Sequence, residues 1–326
     1  MSAAPQAIAP AWAARGRSAG AARAADRAYA LLLGALAASV FAVVALLVCE
    51  TTRGALPALR AFGPGFLAHT DWDPVAERFG ALPYVYGTLV TSALAMLLAV
   101  PLGVGTAVFL AALAPPRAGS ALAFLVELLA AIPSIVYGIW GVFVLAPWLR
   151  GGVEPWLIAH LGFLPLFQGF PFGLGILNAG LVLAIMVVPT VTSLSREILL
   201  ALPRTLREAA YALGATRAET LAVMLDAARP GILGAVVLAL GRALGETMAV
   251  TMVIGNSSRM SASLLAPGAT LASVIANEFT EATGRLHLAS LFEIALVLFA
   301  LTLVVNALAR ALVHLATGGR RDVAAA

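Results

Sequence analysis

The chain has 326 residues, 61% of them hydrophobic and 11% charged, against about 45–50% and about 25% in an ordinary soluble domain. With a mean hydropathy of +0.98, it could not cover a soluble surface, and the composition points to an integral membrane protein and excludes a disordered, collagen-like or nucleic-acid-binding chain. The formal net charge of +4 comes from twenty Arg and no Lys, so a phosphate-loop lysine and a Schiff-base lysine are both impossible, and any ATP hydrolysis must belong to another subunit.

Residues 1–27 are rich in Ala, Pro and Arg without a sustained apolar pattern and read as a mobile cytoplasmic tail. Residues 28–49 then carry no charge; at about 1.5 Å per residue they extend about 33 Å, enough for a bilayer core of about 30 Å. That is longer than the apolar stretch of a cleaved signal peptide, so the span is retained. Cys49 is the one cysteine, which rules out an intrachain disulfide, and Val48 before it disfavours a lipoprotein site. Residues 50–83 read as a periplasmic or interfacial segment, in which the alternating His69, Asp71 and Asp73 suit a solvated loop better than a metal site.

Five further spans are expected at 84–114, 121–149, 174–194, 231–254 and 289–312, and a cytoplasmic tail at 313–326. The first and third of these five carry no charge, while the others hold Glu127, the pair Arg242 and Glu246, and Glu293 with Arg310. The expected fold is all-α: a polytopic membrane protein with six transmembrane helices. Pro101, Pro133 and Pro189 each interrupt a span, either bending it around a path or as tolerated kinks. Segment 148–172 holds two Trp and four Phe, the density of a headgroup-zone loop. With both termini inside, thirteen Arg fall in cytoplasmic segments and six in outer ones, which favours that orientation.

The polar stretch 195–230 is the most informative. Pro203 suits a first helical turn. Leu206, Ala209, Ala210 and Leu213 form a stripe at helical spacing, and Gly214 reads as a C-terminal glycine. Thr216 and Glu219 then form a capping box that opens a second short helix, ended by Pro230 and Gly231. Two short helices meeting at a glycine make either a knob that docks in a partner's groove or a solvated connector.

Further on, Arg242 and Glu246 sit within an expected span. A guanidinium is the natural bidentate partner of an oxyanion, and a charge inside a span marks function by default. Glu246, one turn later, can pair with Arg242; the pair either serves a substrate pathway or locks two helices. Gly241 and Gly245 form a small-xxx-small pair permitting close helix approach. The sequence contains neither HExxH nor GxSxG, which disfavours an intramembrane protease.

Glu208-Ala209-Ala210, three residues, then Gly214 resembles the EAA signature of ABC-importer permeases. The pattern's later Ile-x-Leu-Pro is replaced here by Met224-Leu225-Asp226-Ala227, with the proline at Pro230. Trp72-Asp73-Pro74, FGALPYVYGTLVTS at 79–92, AAIPSIVYGIWG at 130–141 and GRALGETMAVTMVIGN at 241–256 are similar to the C-type permease subunits of phosphate-specific transport. The resemblance implies a type I ABC-importer permease domain over 84–312 in a bacterial inner membrane, with a coupling loop at 195–230. It implies phosphate as substrate, Arg242 and Glu246 in its pathway, and Glu208, Ala209, Ala210 and Gly214 in ATPase coupling. It also implies a heterodimer with an A-type permease, a periplasmic phosphate-binding protein, and a cytoplasmic ATPase dimer. That dimer binds the ATP and Mg, leaving no cofactor or metal for this chain and no catalytic residue. Two alternatives stand beside it: a permease for molybdate or sulfate, disfavoured by the 241–256 stretch, and a proton-coupled carrier using Glu246, disfavoured by the EAA-like segment.

Overall fold

The computed structural model describes residues 19–317, with side chains over 26–314 apart from Pro116. The elements are α1 (Ala19–Phe62), α2 (Leu82–Val108, ending in a π turn Phe109–Leu113) and α3 (Pro116–Ala130). A helix interrupted by two π turns follows, α4 (Ser134–Leu161), then α5 (Ile176–Ala201) and α6 (Arg204–Ala212). The chain ends with α7 (Arg217–Leu244), α8 (Met248–Val253), α9 (Leu271–Glu278) and α10 (Arg285–Thr317). Among the described residues, six helices are long and apolar enough to cross a membrane: Asp26–Leu67, Leu82–Leu113, Ser134–Leu161, Ile176–Ala201, Arg217–Leu244 and Arg285–His314.

The all-α class and the number of spans are as expected, but three spans differ: the first runs on past the expected end at Cys49 to Leu67, taking the start of the expected 50–83 segment into the helix. The third is not 121–149. Pro133 adopts ψ 140° and α3 stops at Ala130, because a proline lacks the helical donor and pushes its predecessor out of helical geometry. The span is Ser134–Leu161, so Glu127 lies in the short α3 and Trp148 and Trp156 lie on a helix rather than in a loop. The fifth span absorbs the expected second short helix, since α7 continues through Pro230. Ala228 and Ile232, on either side of that proline, are buried with Ala107 and Leu199, and this packing outweighs the lost hydrogen bond. The same helix then stops at Leu244, and 231–254 is not one helix. At the N-terminus, residues 19–27 continue α1; the rest of the expected tail, 1–18, lies outside the described residues, as does 318–326.

The chain divides into two units between Arg53 and Gly54. In the first, the apolar side chains of α1, among them Leu31, Phe41 and Leu46, are exposed all round, a surface for lipid rather than water. Ser39, Thr51 and Thr52 return their hydroxyls to carbonyls of the preceding turn, as polar groups in an apolar medium must. Glu50 and Arg53 form an ion pair at 2.7 Å.

The second unit is centred on α2 and α5. Ala95 and Ala99 of α2 are buried with Ala179, Val182, Leu183, Val187 and Val191 of α5, small residues letting the backbones approach. Thr192 Oγ1 donates to the Gly103 carbonyl at 3.2 Å across the two helices. The N-terminus of α5 is capped by a distant loop: Ile176 N–H donates to Ala266 and Leu177 N–H to Leu264, at 3.2 and 2.7 Å. These are donors that no helix can satisfy internally. The buried Glu154 accepts the Gly173 N–H at 2.9 Å, and Asn178 Nδ2 donates to the Gly173 carbonyl at 2.7 Å, fixing the α4–α5 connection. At the end formed by 66–84 and 278–287, Trp72 packs edge-on against Phe79 and Tyr84. Glu278 accepts from Trp72 Nε1 and bonds His287 Nε2, each at 2.9 Å. Asp73 closes its turn by accepting the N–H groups of Val75 and Ala76.

Candidate functional site

Two features carry chemistry: the knob between α5 and α7, and a cavity between α7 and α10. In the knob, α6 ends in a full Schellman turn. Ala215 N–H donates to Ala210 at 3.1 Å, Gly214 N–H to Tyr211 at 3.0 Å, and Gly214 has φ +83°, the left-handed geometry glycine adopts without a Cβ penalty. The capping box forms as expected: Glu219 N–H donates to Thr216 Oγ1, and Thr216 N–H donates to Glu219 Oε2 at 2.7 Å.

The expected stripe on α6 is only half used. Ala210 is buried and Leu206 half-buried, but Ala209 is exposed and Leu213 is 89% exposed. The Leu213 side chain and the half-exposed Tyr211 ring thus stand out at the turn, largely uncovered by the described residues. Glu208 lines two hollows on either side of α6. One, of about 400 Å³, also holds Arg207, Tyr211 and Arg217; the other, of about 610 Å³, holds Arg196, Arg204 and Arg207. Glu208 forms no ion pair among the described residues.

The cavity between α7 and α10, about 640 Å³, is lined by Thr190, Gly234, Val237, Leu238, Gly241, Arg242, Asn306, Arg310 and Val313. The α7 residues follow i, i+3, i+4, i+7, i+8 and the α10 residues i, i+4, i+7, so each helix contributes one face. Arg242 is exposed in the chain by itself and lies in the last turn of α7, where the helix dipole favours a cation by about 0.3–1 kcal/mol. Its Nη1 donates to Thr190 Oγ1 at 3.5 Å.

The expected Arg242–Glu246 pair does not form. Gly245 ends α7, and the chain turns before α8, so the two residues no longer share a helix face. Glu246 Oε1 instead accepts the Ala249 N–H at 3.3 Å, at the opening of α8. The two glycines divide as well. A Cβ at Gly241 would lie 3.5 Å from Asn306 Nδ2, an ordinary contact distance that sets this glycine beside Asn306; one at Gly245 would meet only the Gly241 carbonyl of its own helix. Asn306 and Arg310 were not expected as site residues, although two polar residues one turn apart in an apolar span are a readable signal.

The model for the family described as binding-protein-dependent transport system inner membrane component matches residues 79–316. The chain is 48% identical over 285 residues to the phosphate transport system permease protein PstC of Mesorhizobium japonicum, covering 86% of this chain and 84% of that protein. It is 44% identical over 279 residues to the PstC of Pasteurella multocida, 84% and 87% of the two chains. It is 39% identical over 273 residues to the probable PstC of Methanocaldococcus jannaschii, 82% and 87% of the two.

Proposed function

Since this chain belongs to the family of binding-protein-dependent transport system inner membrane components, we infer that it is the permease subunit of an ABC importer for phosphate. It is a multi-pass membrane protein and one transport component of a larger assembly. The relatives named for phosphate across most of their length favour that substrate over molybdate or sulfate.

The assembly we propose pairs this chain with an A-type permease, a cytoplasmic ATPase dimer that holds the ATP and Mg, and a periplasmic phosphate-binding protein. Both termini and the 203–228 region face the cytoplasm in this reading, supported by thirteen Arg in the inner segments against six in the outer ones. Counted on the observed helices, Arg27, Arg196, Arg217, Arg229 and Arg310 leave the inner tally and Arg53, Arg60, Arg150 and Arg285 the outer one, and the inner excess remains. Leu213 and Tyr211 dock in the ATPase, with Glu208, Ala209, Ala210 and Gly214 shaping the knob. Closure of the ATPase dimer on ATP then pulls the knob and rocks the two permeases from inward-facing to outward-facing.

Phosphate crosses a path that includes Arg242. The observation that carries this is the guanidinium itself: at the end of α7, it lines a cavity and has, among the described residues, a single 3.5 Å hydrogen bond to Thr190 and no carboxylate partner. A cation so placed in a membrane span is suited to an oxyanion. Glu246 acts on the path indirectly, through the cap that holds α8. The test is reconstitution of the full complex in proteoliposomes with the loaded binding protein. ATP-dependent uptake of labelled phosphate, with sulfate and molybdate left outside, is expected. Equal uptake of sulfate, or uptake that persists without the ATPase subunit, overturns the reading.

A further inference from the structure

We propose that Arg310 and Asn306 of α10 complete the anion site, Arg310 as a second guanidinium that contacts phosphate after Arg242. The proposal rests on the phosphate reading above and extends it to residues outside the sequence motifs.

The geometry is that of two facing helices. Arg242 and Arg310 line the same cavity of about 640 Å³, and among the described residues no carboxylate lines it. Asn306 is half-buried on α10 with its carboxamide beside Gly241, 3.5 Å from where a Cβ there would lie. Asn306 is therefore level with the Arg242 turn of α7. Arg310 follows on the same face, about 6 Å further toward the C-terminal end of α10. Asn306 forms no hydrogen bond among the described residues, and its amide group is a donor with spare capacity.

The electrostatics point the same way. Two guanidiniums lining one cavity repel each other, and a nearby carboxylate would be the usual remedy. Here Glu246 is committed to the Ala249 N–H instead. What relieves the repulsion is an anion between them, and a phosphate offers oxygens for the fork of each arginine and for the Asn306 amide. The offset in height makes the pair a handover: the anion leaves the Arg242 level and meets Arg310 one turn nearer the end of α10.

Arg310 lies near a helix end, so a plain interfacial anchor is the competing role. An anchor needs only a positive charge on a long stem, which Lys supplies; a phosphate fork needs the planar guanidinium. The complete complex, reconstituted with loaded binding protein, is assayed for yield, for ATP hydrolysis stimulated by that protein, and for labelled phosphate moved per ATP. Arg310→Gln should leave yield and stimulated hydrolysis within about twofold and lower phosphate moved per ATP by about tenfold or more, the scale of one charge-assisted hydrogen bond. Arg310→Lys should assemble fully and still transport at well under half the parent rate.

Full transport in Arg310→Gln overturns the proposal, and so does full transport in Arg310→Lys. If Arg310→Gln fails to assemble, the Lys variant decides; if neither assembles, Arg310 is structural and the proposal falls. Arg242→Gln in the same assay separates the two levels. Loss there with intact transport in Arg310→Gln defeats only this proposal. Intact transport in both defeats the assignment of the phosphate path to this cavity.

Discussion

Gly214 offers the sharpest test of the coupling role, because its replacement strains the backbone and touches nothing else. Its φ is +83°, and a Cβ built there has no other atom within 4 Å. Substitution therefore creates no clash; the whole effect is conformational. Placing an L-residue in the left-handed region costs about 1–2 kcal/mol, more when the side chain is β-branched. The alternative is to abandon the Schellman turn and its bonds from Gly214 to Tyr211 and Ala215 to Ala210, at about 1 kcal/mol each. Either way Gly214→Val works against the presented geometry by about 2–3 kcal/mol, or roughly 30- to 150-fold in a docking equilibrium that needs that geometry. Gly214→Ala should lie between Val and the parent. The spans are untouched, so membrane insertion and yield should hold. The assay is recovery of the ATPase on affinity-tagged permease, alongside phosphate uptake. Undiminished recovery and uptake in Gly214→Val would refute the docking role of the α6 turn.

Arg242 and Glu246 should separate on mutation. Arg242→Lys keeps the charge but loses the fork, and phosphate uptake should fall sharply in a complex that still assembles. Glu246→Gln keeps an oxygen to accept the Ala249 N–H and should change stability by less than about 1 kcal/mol. In the double variant Arg242→Gln with Glu246→Gln, assembly should persist without uptake, and restored uptake would refute direct contact between Arg242 and phosphate. Orientation is checked in a Cys49→Ala background: Thr280→Cys should react with an impermeant thiol reagent in intact cells, and Ala218→Cys only after permeabilisation. The opposite pattern would invert the topology.

The fold is legible in the sequence wherever its cause is local. Uncharged apolar length marks the spans near 84–114 and 174–194, and the Gly214 turn and the Thr216–Glu219 box are written in adjacent residues, so both form where the sequence puts them. Proline is ambiguous for a physical reason. Pro133 ends a helix and Pro230 does not, though each removes one donor. The difference is that Ala228 and Ile232 hold the turn on both sides of Pro230 against Ala107 and Leu199, contacts from residues thirty and more than a hundred positions away. The α6 stripe misleads in the same way: helical spacing says which residues share a face, not how much of that face finds a partner, and Leu213 stays exposed among the described residues.

Of the proposed site, the sequence marks the charge of Arg242 within a span but not its surroundings. Pairing Arg242 with Glu246 assumes an unbroken helix, and the break at Gly245 is fixed by contacts from afar. Gly175 N–H donates to the Val253 carbonyl at 3.0 Å, and Gly268 N–H to the Ile254 carbonyl at 2.9 Å. The end of α8 is thereby tied to the start of α5 and to the loop that caps it. With α8 so anchored, the chain must turn between Leu244 and Met248, and that turn swings Glu246 onto the Ala249 N–H. Arg242 is left at a helix end without a carboxylate, facing α10 across a cavity. On the proposed phosphate path, a permanent Glu246 partner would satisfy Arg242 and compete with the cargo for its guanidinium. A fixed break keeps the cation available, and the helix dipole and the Thr190 hydroxyl stabilise it only weakly. A cation held that weakly suits the proposed role, in which an anion must bind and also leave.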